Sequence, residues 1–195
     1  MKTTLKFTAI LALVLCANLG YASNAKHTLV TDNDTKSIVF QLDASNEEMN
    51  IRLTDEQGNV IYSESVEDQK NYIKKFDLTN LENGRYFFKT DNALKTVTYS
   101  LDINKQAVTI LDKKEVAKPV FNERANVLYM NLLNQTGEKV KMELVDQANR
   151  TIFEETLTDQ FLVGKAFNFE NAFKGTYTLM VKTSKGVYYH EVRIK

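Results

Sequence analysis

Few side chains in this 195-residue sequence could carry out catalysis or hold a metal. His27 and His190 are its two histidines, Cys16 is its single cysteine, and tryptophan is absent. A catalytic triad or a zinc centre needs several such groups close together. His190 also falls within the alternating pattern of a strand, so we interpret it as a half-buried packing residue rather than a general base.

The sequence Asp32-Asn33-Asp34 has oxygen-bearing side chains at alternate positions, as the start of a calcium-binding loop does. The glycine and the glutamate that such a loop needs further along are missing from the expected frame. We therefore predict a solvated turn here, and no metal site or cofactor in the chain.

Three carboxylates recur 91 residues apart, as the pairs Asp55 and Asp146, Glu64 and Glu155, and Asp68 and Asp159. Carboxylate pairs can perform acid–base catalysis, but repetition in both halves of the chain favours a structural role. Asp55, for example, lies where a turn aspartate bonds its own backbone. We predict no catalytic residue and no enzymatic activity.

The N-terminus has the three parts of a secretory signal peptide. Lys2 and Lys6 precede an apolar run at residues 7–15, and small residues follow. We assign residues 1–23 to the signal, with cleavage after Ala22, Ser23 or Ala25 left open. The apolar run is shorter than the roughly 20 residues that span a bilayer. The sequence thus predicts a secreted protein, periplasmic, cell-surface or extracellular, with no membrane span and no cysteine after cleavage.

The chain contains an internal repeat. Residues 36–104 align without a gap on residues 127–195, at a constant offset of 91, and 14 of the 69 pairs are identical. Leu42, for example, pairs with Leu133 in this alignment. Two copies of one fold are the natural inference.

Within each copy the apolar residues alternate as in β-strands. Val97, Tyr99, Leu101 and Ile103 occupy every second position. The pattern predicts strands near residues 28–31, 37–42, 49–54, 59–66, 73–78, 85–91 and 95–103, with matching segments in the second copy and an extra strand at 107–111. Short strands at this spacing predict an all-β fold of two tandem immunoglobulin-like β-sandwich modules. The predicted modules are residues 24–112 and 113–195, with a short linker at 112–119.

Several residues are assigned structural roles. Gly58 can adopt the positive φ that a tight hairpin requires, and Asn149, the residue that tolerates it best after glycine, takes its place in the second copy. In both copies a glycine stands two positions before an inward tyrosine, a pattern related to the tyrosine corner of β-sandwiches. These residues are Gly84 and Tyr86, and Gly175 and Tyr177.

The segment Leu78-Thr-Asn-Leu-Glu-Asn-Gly-Arg-Tyr-Phe-Phe88 and its partner at residues 169–179 resemble two related families. They are the immunoglobulin-like or fibronectin type III-like modules of bacterial secreted proteins, and the C-terminal sorting domain of type IX secretion cargo. The second resemblance implies recognition of the C-terminal module by an outer-membrane export machine, its removal, and release or surface attachment of the passenger. The sequence departs from that family where Lys118-Pro119-Val120-Phe121 replaces a common proline-asparagine-proline opening, and where the passenger is another copy of the module.

Four aromatic residues are candidates for binding. Phe87 and Tyr189 should point away from the core, and Tyr72 and Phe161 fall in the long middle connection of each copy. Exposed aromatic rings can stack on sugars or anchor a protein partner. The alternative is that they pack between the two modules.

Charge gives little further guidance to the partner. Residues 26–112 carry a net charge of −5 and residues 113–195 a net charge of +3, with no basic patch typical of nucleic-acid binding.

We predict a non-catalytic secreted or envelope protein, acting in adhesion or carbohydrate binding, that presents its sandwich surfaces to a polysaccharide or an envelope protein. The alternatives are a type IX secretion substrate whose C-terminal module is the sorting signal, and an inhibitor of secreted enzymes. The oligomeric state stays open.

Overall fold

The computed structural model describes residues 26–32, 35–43, 48–67 and 71–195, and these residues form fifteen β-strands. The strands of the first module are β1 (Lys26–Asp32), β2 (Ser37–Asp43), β3 (Met49–Asp55), β4 (Val60–Val66), β5 (Asn71–Asp77), β6 (Gly84–Asp91), β7 (Lys95–Ile103) and β8 (Val108–Ala117). Those of the second module are β9 (Val120–Arg124), β10 (Val127–Leu133), β11 (Val140–Asp146), β12 (Thr151–Leu157), β13 (Leu162–Asn168), β14 (Gly175–Lys182) and β15 (Val187–Ile194).

Each module is a sandwich of two antiparallel sheets. The first module has the strand orders β1-β2-β5 and β4-β3-β6-β7-β8, and the second has β9-β10-β13 and β12-β11-β14-β15. β7 shows how the sequence produces this arrangement, because its apolar residues at every second position are buried and the residues between them are not. The predicted all-β fold of two tandem immunoglobulin-like sandwiches is confirmed.

Each sandwich has its own apolar core. In the first, the Phe88 ring packs against Phe40 and Phe76, each at a centroid distance of 5.3 Å, and all three rings are buried. In the second, Met130 and Met142 are fully buried beside Leu179. The first core is therefore built around aromatic rings, and the second relies more on flexible side chains that fill irregular space.

The structure corrects the repeat alignment in one strand. β3, β4, β5 and β6 recur at the predicted offset of 91. In β2, however, Phe40 lies opposite Lys74, whereas Met130 lies opposite Lys165, so Phe40 corresponds to Met130 at an offset of 90. The pairing of Leu42 with Leu133 is therefore wrong, since a shift of one residue moves a side chain to the other face of a sheet.

The structure also corrects the predicted linker. β8 continues to Ala117 and pairs with β7 along its length, so most of residues 112–119 is strand and the boundary predicted after residue 112 falls inside β8. Pairing satisfies the backbone groups that β7 would otherwise leave at an edge. At the end of β8, Lys118 Nζ bonds Asp91 Oδ2 at 2.8 Å and the Asn92 carbonyl at 2.7 Å.

Some predictions concern residues that the structure does not describe. The signal peptide at residues 1–23, Cys16, Asn33, Asp34 and Asp68 lie outside the described residues. Within those described, no helix has the length and apolar character needed to cross a membrane.

Because the two cores are separate, damage to one should leave the other folded. We expect Phe88→Ala to destabilise the first module by about 3–5 kcal/mol, since it removes a fully buried ring. Urea unfolding followed by circular dichroism and proteolysis should show an early transition for the first module alone. The matched control is Phe161→Ala, an exposed ring, which should change little; equal effects of the two substitutions would contradict this account of the core.

Candidate functional site

A cluster of polar side chains closes one side of the first module. Glu64 lies on β4, and Tyr72 and Lys74 lie on β5, the edge strands of opposite sheets. Glu64 Oε2 accepts hydrogen bonds from Tyr72 Oη at 2.5 Å and from Lys74 Nζ at 2.9 Å. Tyr62 Oη also donates to Glu64 and accepts from Lys74 Nζ at 2.5 Å. These four residues, the Glu64 cluster, tie the two sheets together.

The Glu64 cluster holds its carboxylate ionised. Burial alone would raise the pKa of Glu64, but hydrogen bonds from Tyr62, Tyr72 and Lys74, with the charge of Lys74, lower it to about 2. Burial and then the bond to Glu64 raise the pKa of Tyr72. To act as a general acid, Glu64 would instead need a raised pKa, since a general acid must carry a proton near neutral pH.

The second module keeps the ion pair of this cluster without the tyrosine hydroxyls. Lys165 Nζ lies 2.5 Å from Glu155 Oε2, and the Phe153 ring lies below the ammonium at 5.0 Å. Phe153 takes the place of Tyr62, and Val163 takes the place of Tyr72. What the two modules share is therefore an ion pair between sheets, which is a structural feature.

Tyr72 requires a correction. It was predicted to lie in an exposed connection and to be available for binding, but it belongs to β5 and is 7% exposed. Its ring packs against Phe40 at a centroid distance of 6.1 Å, and its hydroxyl points to Glu64. Burial is possible because the carboxylate satisfies the hydroxyl.

The β3–β4 and β11–β12 hairpins turn in the same way. Asp55 Oδ1 accepts a hydrogen bond from the backbone of Asn59 at 2.8 Å, and Asp146 Oδ1 accepts one from the backbone of Arg150 at 2.9 Å. Gly58 has φ +88° and Asn149 has φ +56°. The recurrent aspartates thus bond their own turns, which is the geometry expected of a structural residue.

The two inward tyrosines have matching hydrogen bonds. Tyr86 Oη donates to the Glu82 carbonyl at 3.1 Å, and Tyr177 Oη donates to the Phe173 carbonyl at 3.0 Å. At Gly175, with φ +148°, a Cβ atom would lie 2.9 Å from a side-chain oxygen of Gln147. The segment before each tyrosine is thereby held against the start of its strand.

The histidines lie in different modules. His190 Nε2 is 2.8 Å from Glu123 Oε1, and its ring stacks on Phe121 at 4.7 Å. The ring nitrogens of His27 are buried and have no hydrogen-bond partner among the described residues. Burial, and then the nearby charge of Lys95, lower the pKa of His27. No group of three or more potential metal-binding side chains occurs among the described residues.

The other three aromatic candidates lie on separate surfaces. Phe87 is half-buried on β6, opposite Thr54 and Ser100. Tyr189 is 66% exposed on β15, and Phe161 is 64% exposed in the loop before β13. The structure therefore places them on three different surfaces of the molecule.

A different surface in the second module has the composition of a binding face. The outward positions of the β9-β10-β13 sheet, which we call the β10 face, are Val120, Asn122, Arg124, Val127, Tyr129, Asn131, Leu133, Leu162, Gly164, Ala166 and Asn168. Of these positions, Arg124 at one end is the single charged residue. The matching face of the first module carries Asp32, Lys75 and Asp77, with Lys75 bonded to Asp32 at 2.9 Å.

Tyr129 lies at the centre of the β10 face and is 39% exposed. It stands opposite Asn122 on β9 and Ala166 on β13, and Asn131 follows it on the same strand face, opposite Gly164. Opposite side chains in a sheet have Cβ atoms about 4.5–5.5 Å apart. The amide of Asn122 thus lies beside the ring on the β9 side, and the small Ala166 lies on the β13 side. The Asn131 amide follows along β10 and reaches over Gly164.

The sequence alignment concealed this surface. A constant offset pairs Tyr129 with Ile38, which is fully buried, and so assigns the ring to the core. The pattern within β10 itself could have revealed this surface. There Leu128, Met130 and Leu132 alternate with polar and aromatic residues, and this alternation is visible without the repeat alignment.

Residues 33–112 match the family model of the secretion system C-terminal sorting domain. This confirms the predicted resemblance, although the match covers less than half of the chain and falls on the first module. The resemblance in the sequence had placed the sorting signal in the second module instead. No curated protein is detectably similar in sequence.

Several solved structures resemble the chain, including the following three. A biofilm-associated protein, BSP domain, has a TM-score of 0.27 at 11% identity over 87% of this chain, which spans 29% of that chain. A two-domain fibronectin type III segment of chicken tenascin has a TM-score of 0.29 at 7% identity, over 87% of this chain and 100% of that one. The FN1–FN3 domains of chicken CNTN1 have a TM-score of 0.26 at 7% identity, over 88% and 67%.

The Glu64 cluster predicts a pH-dependent stability. The pKa of Glu64 is lower in the folded protein than in the unfolded chain, so the ionised carboxylate stabilises the fold. This stabilisation is complete above pH 4.5 and is lost as the pH falls toward 2. We expect Glu64→Gln to cost about 1–3 kcal/mol at pH 7 and much less near pH 3. Urea unfolding across this pH range measures the difference.

Two substitutions serve as controls for that experiment. Glu155→Gln removes the equivalent ion pair, which has fewer hydrogen-bond donors, and should cost less at pH 7. Glu56→Gln, at an exposed turn position, should have little effect. A cost of Glu64→Gln that did not change with pH would count against the assigned role.

Proposed function

We propose that this protein is a non-catalytic, exported binding protein of the cell envelope or exterior, whose β10 face binds a neutral polysaccharide. The observation that carries the proposal is the composition of that face, with Tyr129 next to the side-chain amides of Asn122 and Asn131 and with one charge at its edge. The apolar N-terminal segment and the resemblance to a sorting domain support export.

The β10 face suits a sugar chain for two physical reasons. An aromatic ring that is apolar on its face and polar at its tip can stack on the C–H groups of a sugar while its hydroxyl stays wet. The amides of Asn122 and Asn131 each offer both donors and an acceptor to sugar hydroxyls. Ala166, opposite Tyr129 on β13, is small and leaves space for a sugar ring. The Asn131 amide reaches over Gly164, where a Cβ atom would lie 3.4 Å from its Oδ1.

The absence of charge bears on which polysaccharide is bound. A solvated sheet face usually carries mixed charges that keep a protein soluble, as the matching face of the first module does. A neutral partner would not compensate charged groups that it desolvated, so a face for neutral sugars is best left uncharged. We therefore propose neutral rather than acidic polysaccharides.

Affinity electrophoresis against neutral and acidic polysaccharides tests the proposal. We expect retardation by at least one neutral polysaccharide, and a loss of about two- to tenfold in affinity for Tyr129→Ala, since a stacked ring contributes about 0.5–1.5 kcal/mol. Asn131→Ala should weaken binding through its lost hydrogen bonds. The matched control is Phe173→Ala, a ring that is 76% exposed on another surface. Equal binding by Tyr129→Ala and the control would overturn the assigned site.

A second function is favoured by the family match of residues 33–112. In this alternative the protein is cargo of a type IX secretion system, and one module is an address read by the export machine. The resemblance in the sequence pointed to the C-terminal module as that address, while the family match lies in the first module.

The intact mass of the native protein separates the two functions. If both modules form the working protein, periplasmic, surface and culture-medium fractions should all contain a species that spans both modules. An extracellular species truncated near Lys118 would favour the secretion-substrate function and place the binding activity in the first module.

A further inference from the structure

The two sandwiches differ at one sheet edge. In the first module β8 covers the far side of β7. The pairing begins with Ile103 opposite Val108 and ends with Lys95 opposite Ala117. β15 is the equivalent of β7, but it is the edge strand of its sheet, and no strand of the described residues pairs with its far side. Within the part of the chain that the structure describes, β15 therefore has an open edge where β7 has a covered one.

The hydrogen-bond pattern shows which backbone groups are open. The Thr183 amide bonds the Gly186 carbonyl at 2.9 Å and closes the β14–β15 turn. Along an antiparallel ladder, residues that bond the neighbouring strand alternate with residues whose backbone groups face the other way. On β15 the second kind are Tyr189, Glu191 and Arg193, so their amide and carbonyl groups point to the open edge. In β7 the corresponding groups face β8. An open row of this kind can accept another strand.

The core behind this edge is incompletely covered. Val97, Tyr99 and Ile103 of β7 are buried under the sheet that β8 extends. The corresponding residues of β15, Tyr188, His190 and Ile194, are only half-buried. A further strand beside β15 would bury them as β8 helps to bury their counterparts.

The charged side chains at this edge are complementary to those at the same edge of a second copy. Glu191 and Arg193 are both exposed, stand at neighbouring outward positions of β15, and lie 3.8 Å apart within one chain, from Arg193 Nη2 to Glu191 Oε2. If β15 pairs antiparallel with β15 of a second copy and Val192 lies on the two-fold axis, Glu191 of each copy stands opposite Arg193 of the other. Opposite charges directly across a sheet stabilise the pairing. The next register would place Glu191 opposite itself and is disfavoured.

We propose that the open edge of β15 binds the same edge of a second copy of this chain, in antiparallel register about Val192. This pairing joins the two four-stranded sheets into one continuous sheet and has the isologous symmetry of a closed dimer. It also brings Ile194 of each copy beside His190 of the other on the inner face.

A charge exchange at positions 191 and 193 tests both the dimer and its register. Glu191→Arg and Arg193→Glu should each weaken self-association by about tenfold, since two attractive pairs become repulsive. An equimolar mixture of the two variants should form a heterodimer, because every acidic group then faces a basic one. Sedimentation velocity and light scattering across a concentration series measure the mass.

Two further variants separate the dimer from loss of folding. Glu170→Arg makes the same charge change in an exposed loop and should leave the dimer unchanged. Glu191→Pro, compared with Glu191→Ala, removes an edge amide and should abolish the dimer while circular dichroism shows an intact fold.

Three results would overturn the proposal. They are a wild-type protein that stays monomeric at every concentration, a dimer that tolerates both charge reversals, and a mixture of the two variants that associates no better than either alone. A monomer whose β15 becomes protected from hydrogen exchange by an added extended peptide would instead identify a foreign strand as the occupant.

Discussion

The structure depends on the apolar layer between the two sheets of each module. Cys16 is the single cysteine, so no disulfide within the chain can hold the sheets together, and burial must do so. Phe40, Phe88 and Phe76 form this layer in the first module. The sheets also need closing at their sides, which explains why the ion pair between edge strands recurs as Glu64 with Lys74 and Glu155 with Lys165. The same frame thus supports two modules with different surfaces.

The second module keeps the frame and changes its outer surface. The shift in β10 sends Tyr129 outward, and β13 has Gly164 and Ala166 where β5 has Ile73 and Lys75. Neither change disturbs the core, because residues on the outer face of a sheet do not pack within the sandwich. A duplicated module can therefore gain a binding surface without a cost in folding, which is consistent with function residing in a site carried by a common fold.

Much of the fold could be predicted from the sequence, because strands that face a single core alternate strictly. Val97 to Ile103 in β7 and the exchange of Gly58 for Asn149 are examples in which local pattern and structure agree. Prediction failed where contacts with another strand, and not the local pattern, decide the outcome. The charged residues of β8 suggested a linker, but an edge strand with one neighbour tolerates such residues.

The candidate site was less predictable for the same reason. Tyr72 precedes two lysines, Lys74 and Lys75, and its burial depends on a carboxylate from another sheet. Tyr129 was missed because a one-residue difference in loop length shifts β10 against the constant offset of the repeat, although the alternation within β10 itself places the ring outward. Tyr189 lies at an outward strand position and Phe161 in a loop, and both side chains are exposed.

Hydrogen exchange with and without a bound neutral polysaccharide tests the central claim most directly. The account predicts slower exchange in peptides from β9, β10 and β13, with the sheet β12-β11-β14-β15 and the whole first module unchanged. Protection confined to the first module, or to the outer face that carries Tyr189, would contradict it.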